Sequence, residues 1–297
     1  MGNSCCCYIE AGESAYEIPA LIPQPRFTNE RKIVKDDEEK ENRNTYKMRD
    51  TYTNRDVTCK QIPNRKRRRA QHEAMILRKF NSPYLPKYVD FSEDTNVYNI
   101  YYIFIPGTDL FTYIFNNLKT LRISQIKMLI NKMLTCLVEV KNYNLCHLDI
   151  KFENYIYDDA TEKVTLIDFE SAHPYIKNNA LKMLRTYVGT KSYIPPEIWY
   201  DYYHKNSDMW SIGVCLWTVM TLEYPFKLGK ISKLGANLKN KIRKRCQFPT
   251  ERHTKLMEDL DFNDDLKDFF IKAFTFAPSK SITLDEMLNH NWLKVLT

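Results

Sequence analysis

His147-Leu148-Asp149-Ile150-Lys151-Phe152-Glu153-Asn154, followed one hairpin later by Asp168-Phe169-Glu170, is the stretch on which the fold turns. Between the two, Tyr155-Ile156-Tyr157 and Val164-Thr165-Leu166-Ile167 read as strands joined by the polar turn Asp158 to Lys163. Antiparallel strands return the chain to the edge it left, so the residues before Tyr155 and after Ile167 emerge together. Two Asp and one Asn gather at that edge, with a Lys beside them. The Asp168 carboxylate and the Asn154 side-chain oxygen are hard ligands suited to Mg²⁺, or Mn²⁺, carrying phosphates. Asp149 is then a candidate base or hydroxyl-orienting group, and Lys151 a cation for charge developing on a transferred phosphoryl.

Outward from this edge the texture differs on the two sides. Upstream, polar and β-prone positions alternate over Lys32 to Lys35, Thr45 to Thr53 and Val57 to Ile62. A helix is expected over Gln71 to Phe80, ended by Ser82-Pro83, and a buried strand over Val97 to Ile105, stopped by Pro106-Gly107. The rest is dominated by apolar repeats at helical spacing: Leu110 to Asn116, Ser124 to Tyr143, Asp208 to Leu222 and Asp264 to Phe276. A small strand-rich part followed by a larger helical part is an α+β arrangement with a cleft between the two.

His147-x-Asp149-x-Lys151-x-x-Asn154 resembles the catalytic loop of the eukaryotic protein kinase family, and Asp168-Phe169 the start of its magnesium motif. Gly189-Thr190-x-x-Tyr193-Ile194-Pro195-Pro196-Glu197 is similar to the segment that ends the kinase activation loop. Ser207-Asp208-Met209-Trp210-Ser211-Ile212-Gly213 is similar to the helix that follows, whose Asp braces the catalytic loop. Pro278-Ser279-Lys280-Ser281-Ile282-Thr283 with His290-Asn291-Trp292 resembles the end of the domain, especially in the calmodulin-dependent kinase group. Upstream, Val57-Thr58-Cys59-Lys60 can be laid on the third-strand lysine motif, and Gly107-Thr108-Asp109-Leu110 on the helix start after the hinge.

The resemblance implies a two-lobed kinase-like domain over residues 29–297, with the smaller lobe at about 29–105 and the larger at about 106–297. It implies ATP-dependent transfer to a Ser or Thr of a protein substrate, the serine/threonine branch being indicated by Lys151 after Asp149 and Thr190 before Tyr193. Asp149 and Lys151 would be catalytic. Lys60, Glu73 and Asn154 would serve ATP, with Glu73 pairing Lys60 at a spacing short for the family. Asn154 and Asp168 would hold the metal, and Thr190, Glu197 and Asp208 would shape the substrate-docking side. A monomer with no nucleic-acid partner is expected. The alternative is a pseudokinase, in which the same fold acts as a membrane-anchored scaffold or regulatory binding protein.

Only seven glycines occur in 297 residues, and none lies between Gly12 and Gly107. No G-x-x-x-x-G-K-[ST] or G-x-G-x-x-G spacing exists, which excludes a phosphate loop of either type. Where the family has its glycine-rich loop, Asp36-Asp37-Glu38-Glu39-Lys40-Glu41 stands instead, either repelling a triphosphate or pointing into solvent. Glu170 replaces the Gly of the magnesium motif and adds a further ligand or a repellent charge. Leu148 replaces the Arg that grips an activation-loop phosphate, leaving Thr186 or Ser192 without the usual reader. Ser281 stands where an Arg pairs with Glu197, making Lys280 the expected substitute, and Thr58 replaces the Ala over the adenine.

Net charge is +7, with basic runs at Arg65 to Arg69 and Lys239 to Arg245 that read as solvated helix faces, contact with an anionic membrane or an acidic substrate being the alternative. Cys59, Cys136, Cys146, Cys215 and Cys246 are scattered, as reduced thiols are. The chain begins Met1-Gly2-Asn3-Ser4-Cys5-Cys6-Cys7, where Gly2 suits myristoylation and Cys5, Cys6 and Cys7 suit palmitoylation. Two acyl signals would give stable anchoring to the inner leaflet, at the cytoplasmic face of a membrane. Residues 1–28, with Pro19, Pro23 and Pro25, read as the tether.

Overall fold

The computed structural model describes residues 26–32, 44–175, 181–184, 188–228 and 237–294. Gly2, Cys5, Cys6 and Cys7, the acidic stretch Asp36 to Glu41, and Thr186 lie outside the described residues.

The smaller lobe is a five-stranded antiparallel sheet with one helix on it. Its strands are β1 (Phe27–Lys32), β2 (Asn44–Asp50), β3 (Arg55–Pro63), β4 (Tyr88–Glu93) and β5 (Val97–Ile103), in spatial order β1-β2-β3-β5-β4. Alternation in β3 decides the two faces. Val57 and Cys59 join Tyr101 in a cluster with Phe27, Tyr46, Met48 and Val89 on one side. Thr58, Lys60 and Ile62 take the opposite parity, and Ile62 packs with Ile100, Tyr98 and Tyr102 against α1 (Arg67–Leu77). Lys60 thus belongs to the face that looks toward the helix and the cleft.

Helix α1 begins four residues before the expected Gln71. Arg67, Arg68 and Arg69 are good helix formers that carry no apolar signal, and they stand exposed on its first turn, as a solvated face should. Ala70, Glu73, Ala74 and Leu77 are buried at helical spacing. At the sheet's beginning, Arg26 donates from Nε and Nη2 to the two oxygens of Asp50, each at 3.2 Å, and from Nη1 to Asp90 at 2.5 Å. Phe27 then stacks on Tyr101 at 3.9 Å between centroids.

The chain passes through β6 (Thr108–Asp109) into the larger lobe, with α2 (Leu110–Asn116), α3 (Ile123–Asn142), β7 (Leu145–Cys146) and the hairpin β8 (Tyr155–Asp158) and β9 (Lys163–Leu166). The hairpin register, Tyr155 opposite Leu166 and Asp158 opposite Lys163, brings Asn154 and Ile167 together, and Ile167 N–H donates to Asn154 O at 2.8 Å. Short strands β10 (His173–Pro174), β11 (Lys182–Met183) and β12 (Tyr202–Tyr203) frame the next segment. Helices α4 (Ser207–Thr221), α5 (Leu238–Arg245), α6 (Glu251–Asp259), α7 (Asp264–Ala273) and α8 (Leu284–Leu288) complete the lobe.

Helix α4 is buried from Ser207 to Val219, so it is the lobe's axis and shows no amphipathic stripe. It approaches α7 so closely at Gly213 that a Cβ there would lie 2.8 Å from Ala273 Cβ. Helices α5 and α6, short and mostly charged, and α8, of five residues, are not expected from apolar spacing. Residues Lys241, Arg243, Lys244 and Arg245 of α5 are exposed, again a solvated face. Cys59, Cys136, Cys146, Cys215 and Cys246 are free and buried. Among the described residues, no helix is long and apolar enough to cross a membrane.

Candidate active site

Lys60 reaches from β3 to α1 and to the end of the hairpin at once. Its Nζ donates to Oε1 and Oε2 of Glu73 at 2.7 Å each and to Asp168 Oδ1 at 2.8 Å. The pair expected from the short Lys60–Glu73 spacing is therefore formed. Burial pushes the Glu73 carboxyl up, and the Lys60 ammonium opposes that. Glu73 Oε1 also accepts from the backbone N–H of Phe169 at 3.2 Å. The preceding residue, His72, donates from Nε2–H to Ala172 O at 2.7 Å, and one helical turn earlier Arg69 Nη1 lies 3.9 Å from Glu170 Oε1. Positions 69, 72 and 73 of α1 thus hold the segment 168–172 along one helix face. Sequence reasoning missed Arg69 and His72, whose roles come only from contacts distant in the chain.

Asp168 adopts a left-handed backbone conformation, φ +67°, at the strand end, where Asp is among the residues that tolerate it. The Phe169 ring turns inward, fully buried, onto Phe80 at 4.6 Å and His147 at 4.9 Å, both edge to face. Glu170 brings a carboxylate oxygen within 4.8 Å of oxygens of Glu73 and Asp168. Glu170, standing where the resembled family has Gly, thus adds a carboxylate next to Asp168 and turns it toward Arg69.

The loop before the hairpin is built on Asp208. From the first turn of α4, its Oδ2 accepts from His147 N–H and its Oδ1 from Leu148 N–H, both at 2.8 Å. These bonds brace Leu148 at φ +63°, a costly conformation for a branched residue. Burial raises the Asp208 carboxyl, with His147 opposing. His147 Nδ1 accepts from Asp149 N–H at 3.3 Å while Nε2 donates to Ile167 O at 3.1 Å, an assignment that fits a neutral ring. Leu148 itself is buried, with no charge to offer a phosphate.

Asp149, Lys151 and Thr190 meet across 40 residues of sequence, roughly. Thr190 Oγ1 donates to Asp149 Oδ1 at 2.6 Å, and Lys151 Nζ donates to Thr190 Oγ1 at 2.9 Å and lies 3.3 Å from Asp149 Oδ2. Gly189 brings Thr190 in at φ +83°, where an added Cβ would collide with Leu148 O. Asn154 Nδ2 donates to Asp149 O at 2.8 Å and to Asp149 Oδ2 at 3.1 Å. The Asn154 carboxamide oxygen accepts no hydrogen bond among the described residues, although the residue is 3% exposed. That oxygen, at the start of the hairpin whose end carries the Asp168 carboxylate, is with it a donor set of the kind that fits a hard divalent cation.

The docking side corrects one expectation. Glu197 is buried and accepts from Ser207 Oγ at 2.6 Å; Lys280 is exposed and makes no pair with it. Lys280 closes a turn whose side chain faces water, where desolvation costs nothing, and the hydroxyl at the head of α4 takes its place. Thr58 is buried on the same face of β3 as Lys60.

Comparison with known proteins places this geometry. Residues 42–293 match the protein kinase domain. The chain is 28% identical over 225 residues to the calcium/calmodulin-dependent protein kinase cmkA of Emericella nidulans, covering 75% of this chain and 51% of that protein. It is 27% identical over 196 residues to the probable serine/threonine-protein kinase HSL1 of Saccharomyces cerevisiae, covering 64% of this chain and 12% of that one. The chain thus spans about half or less of the length of these two relatives. The crystal structure of Rad53 1–466 in complex with AMP-PNP shares the fold, with a TM-score of 0.65 and 22% identity over 91% of this chain and 66% of that one. The strand that carries Lys60, the helix that carries Glu73, and the hairpin that gathers Asp149, Asn154 and Asp168 all lie within the matched residues, and the chain belongs to the protein kinase family.

Proposed function

We propose that this protein transfers the γ-phosphoryl of ATP to serine or threonine hydroxyls of a protein substrate. The observation that carries the proposal is a pair of bonded groups at the two ends of one hairpin: Lys60 with Glu73 and Asp168, and Asp149 with Thr190 and Lys151, the hairpin being closed by Ile167 N–H on Asn154 O. Asp168 and the Asn154 oxygen would hold Mg²⁺ or Mn²⁺, which when bound offsets phosphate charge. Lys60, fixed by Glu73, stands where it can meet the inner phosphates. Asp149 Oδ1 accepts a hydrogen bond from the Thr190 hydroxyl at 2.6 Å, which supports reading it as the oxygen that would orient a substrate hydroxyl. A substrate hydroxyl there would be aligned and relieved of its proton, with Lys151 countering negative charge nearby. A scaffold without catalysis gives no account of a network this complete.

Membrane anchoring belongs to the same proposal and rests on Gly2 and the adjacent Cys5, Cys6 and Cys7, one acyl chain giving marginal binding and two giving a stable anchor. Gly2→Ala is expected to move the full chain to the soluble fraction; a variant that stays on membranes overturns the anchor. Phosphorylation of a generic Ser/Thr substrate with Mg²⁺ and ATP is expected, and Asp149→Asn or Asp168→Ala is expected to reduce it by at least about 100-fold while the fold is kept. Absence of both phosphotransfer and an ATP-induced thermal shift, with Mg²⁺ and with Mn²⁺, overturns the kinase proposal.

A further inference from the structure

Glu197 opens the turn Pro196–Tyr200 that follows the docking segment, and only 7% of its surface is exposed. Its hydroxyl partner is itself committed: Ser207 Oγ donates to Glu197 Oε1 at 2.6 Å and accepts from His204 N–H at 2.9 Å. Among the described residues, no Lys or Arg forms an ion pair with Glu197. The groups that face it are the thiols of Cys146 on β7 and Cys246 at the end of α5, both pushed up by burial and so uncharged. The phenol of Tyr203 on β12 is likewise pushed up by burial. His204 uses Nδ1 to accept from Asn206 N–H at 3.3 Å, and Asp208 directs both oxygens at His147 and Leu148. Arg245, next to Cys246, turns to Leu228 O.

An ionised carboxylate in such a place loses its hydration and gains one hydroxyl and its own backbone N–H, a poor exchange. We propose that Glu197 is a positioning residue that works as a neutral carboxylic acid: protonated, it seats the docking segment on the first turn of α4, and its ionisation loosens that seat. Burial moves its carboxyl up from the usual 4.5 to about 7, in line with the geometry. A folded-state value above the unfolded one means that the contribution is full below pH 4.5 or so and is lost as pH rises through about 7. The effect on substrate binding rests on the phosphotransfer proposed above; the effect on stability does not.

The test is equilibrium denaturation of the full chain and of Glu197→Gln, which keeps shape and acceptor but cannot ionise, between about pH 5 and about pH 8. The folding constant of the unmodified protein is expected to fall roughly 50- to 100-fold relative to the variant across that range. Parallel pH profiles overturn the proposal. Should Glu197→Gln fail to fold, Ser207→Ala serves: it removes the donor that favours the ionised form, so the alkaline loss should move to higher pH, and a move to lower pH or none overturns the proposal. In kinase assays the KM for a protein substrate should rise with pH in the unmodified protein alone, with the KM for ATP unmoved. An equal rise in the variant overturns the link to docking, whereas absence of all phosphotransfer overturns the kinase reading and leaves the stability result to decide Glu197.

Discussion

At the start of the sheet Asp50 is fully buried, yet Arg26 meets it with two hydrogen bonds, and Thr53 Oγ1 and Tyr52 N–H add two more at 2.9 and 3.0 Å. In the larger lobe Glu197 is buried almost as deeply with one side-chain partner, the Ser207 hydroxyl. The Arg26 bonds hold the Asp50 carboxyl down at about 2, whereas desolvation takes Glu197 up to about 7. Burial alone therefore does not decide whether a carboxylate is charged; the presence of a cation does. One domain carries both solutions, and their pH dependences have opposite signs.

Removing the cation from the first solution should give the largest effect. Arg26→Met leaves Asp50 buried without its partner, and a loss of about 3 kcal/mol is expected in denaturant titrations near neutral pH. Adding a cation to the second should make it resemble the first. Asn206 Nδ2 donates to Ser281 O at 3.2 Å, so Ser281 stands beside the turn that leads into Ser207. Ser281→Arg is expected to abolish the alkaline loss and to stabilise the protein by about 2 kcal/mol at pH 8, read from denaturation midpoints. An unchanged alkaline limb would show that the new guanidinium does not reach Glu197.

Asp50→Asn should cost about 1.5 kcal/mol at neutral pH. Because its folded-state value lies below the ordinary 3.8, Asp50 contributes stability above that pH and loses it as pH falls toward about 2. The Asn variant should therefore lack the corresponding part of acid unfolding, which circular dichroism between pH 4 and 2 checks. The smallest effect is expected at Glu170→Gly. The Arg69 side chain is 52% exposed and 3.9 Å away, so its loss should cost less than about 1 kcal/mol. A greater loss in a urea titration would make this pair a main support of α1.

Much of the catalytic edge was legible because its information is local. Asp149, Lys151 and Asn154 lie in one short run, the hairpin from Tyr155 to Leu166 has strong β formers on both arms, and the return geometry of antiparallel strands places Asp168 beside them. Less legible was β4, since Asp90, Ser92 and Glu93 interrupt its apolar alternation and the strand exists through pairing with β5. The contacts of His72 with Ala172 and of Arg69 with Glu170 join residues about a hundred positions apart, beyond any spacing rule. Lys280 shows the limit of charge matching by position. It has the right sign and nearby sequence, but a long side chain that can stay in water does so unless burial is compensated.

The five thiols buried in the domain have a practical side. Burial pushes each of them up, to about 12 for Cys59, Cys136 and Cys246 and well above the ordinary value for Cys146 and Cys215. In the folded domain they are poor nucleophiles toward alkylating reagents. With Cys5, Cys6 and Cys7 replaced by Ser, labelling of the remaining cysteines would count opening events, with Cys59 reporting from the sheet and Cys215 from the central helix. The protein carries its own two-channel clock for the order in which its lobes come apart.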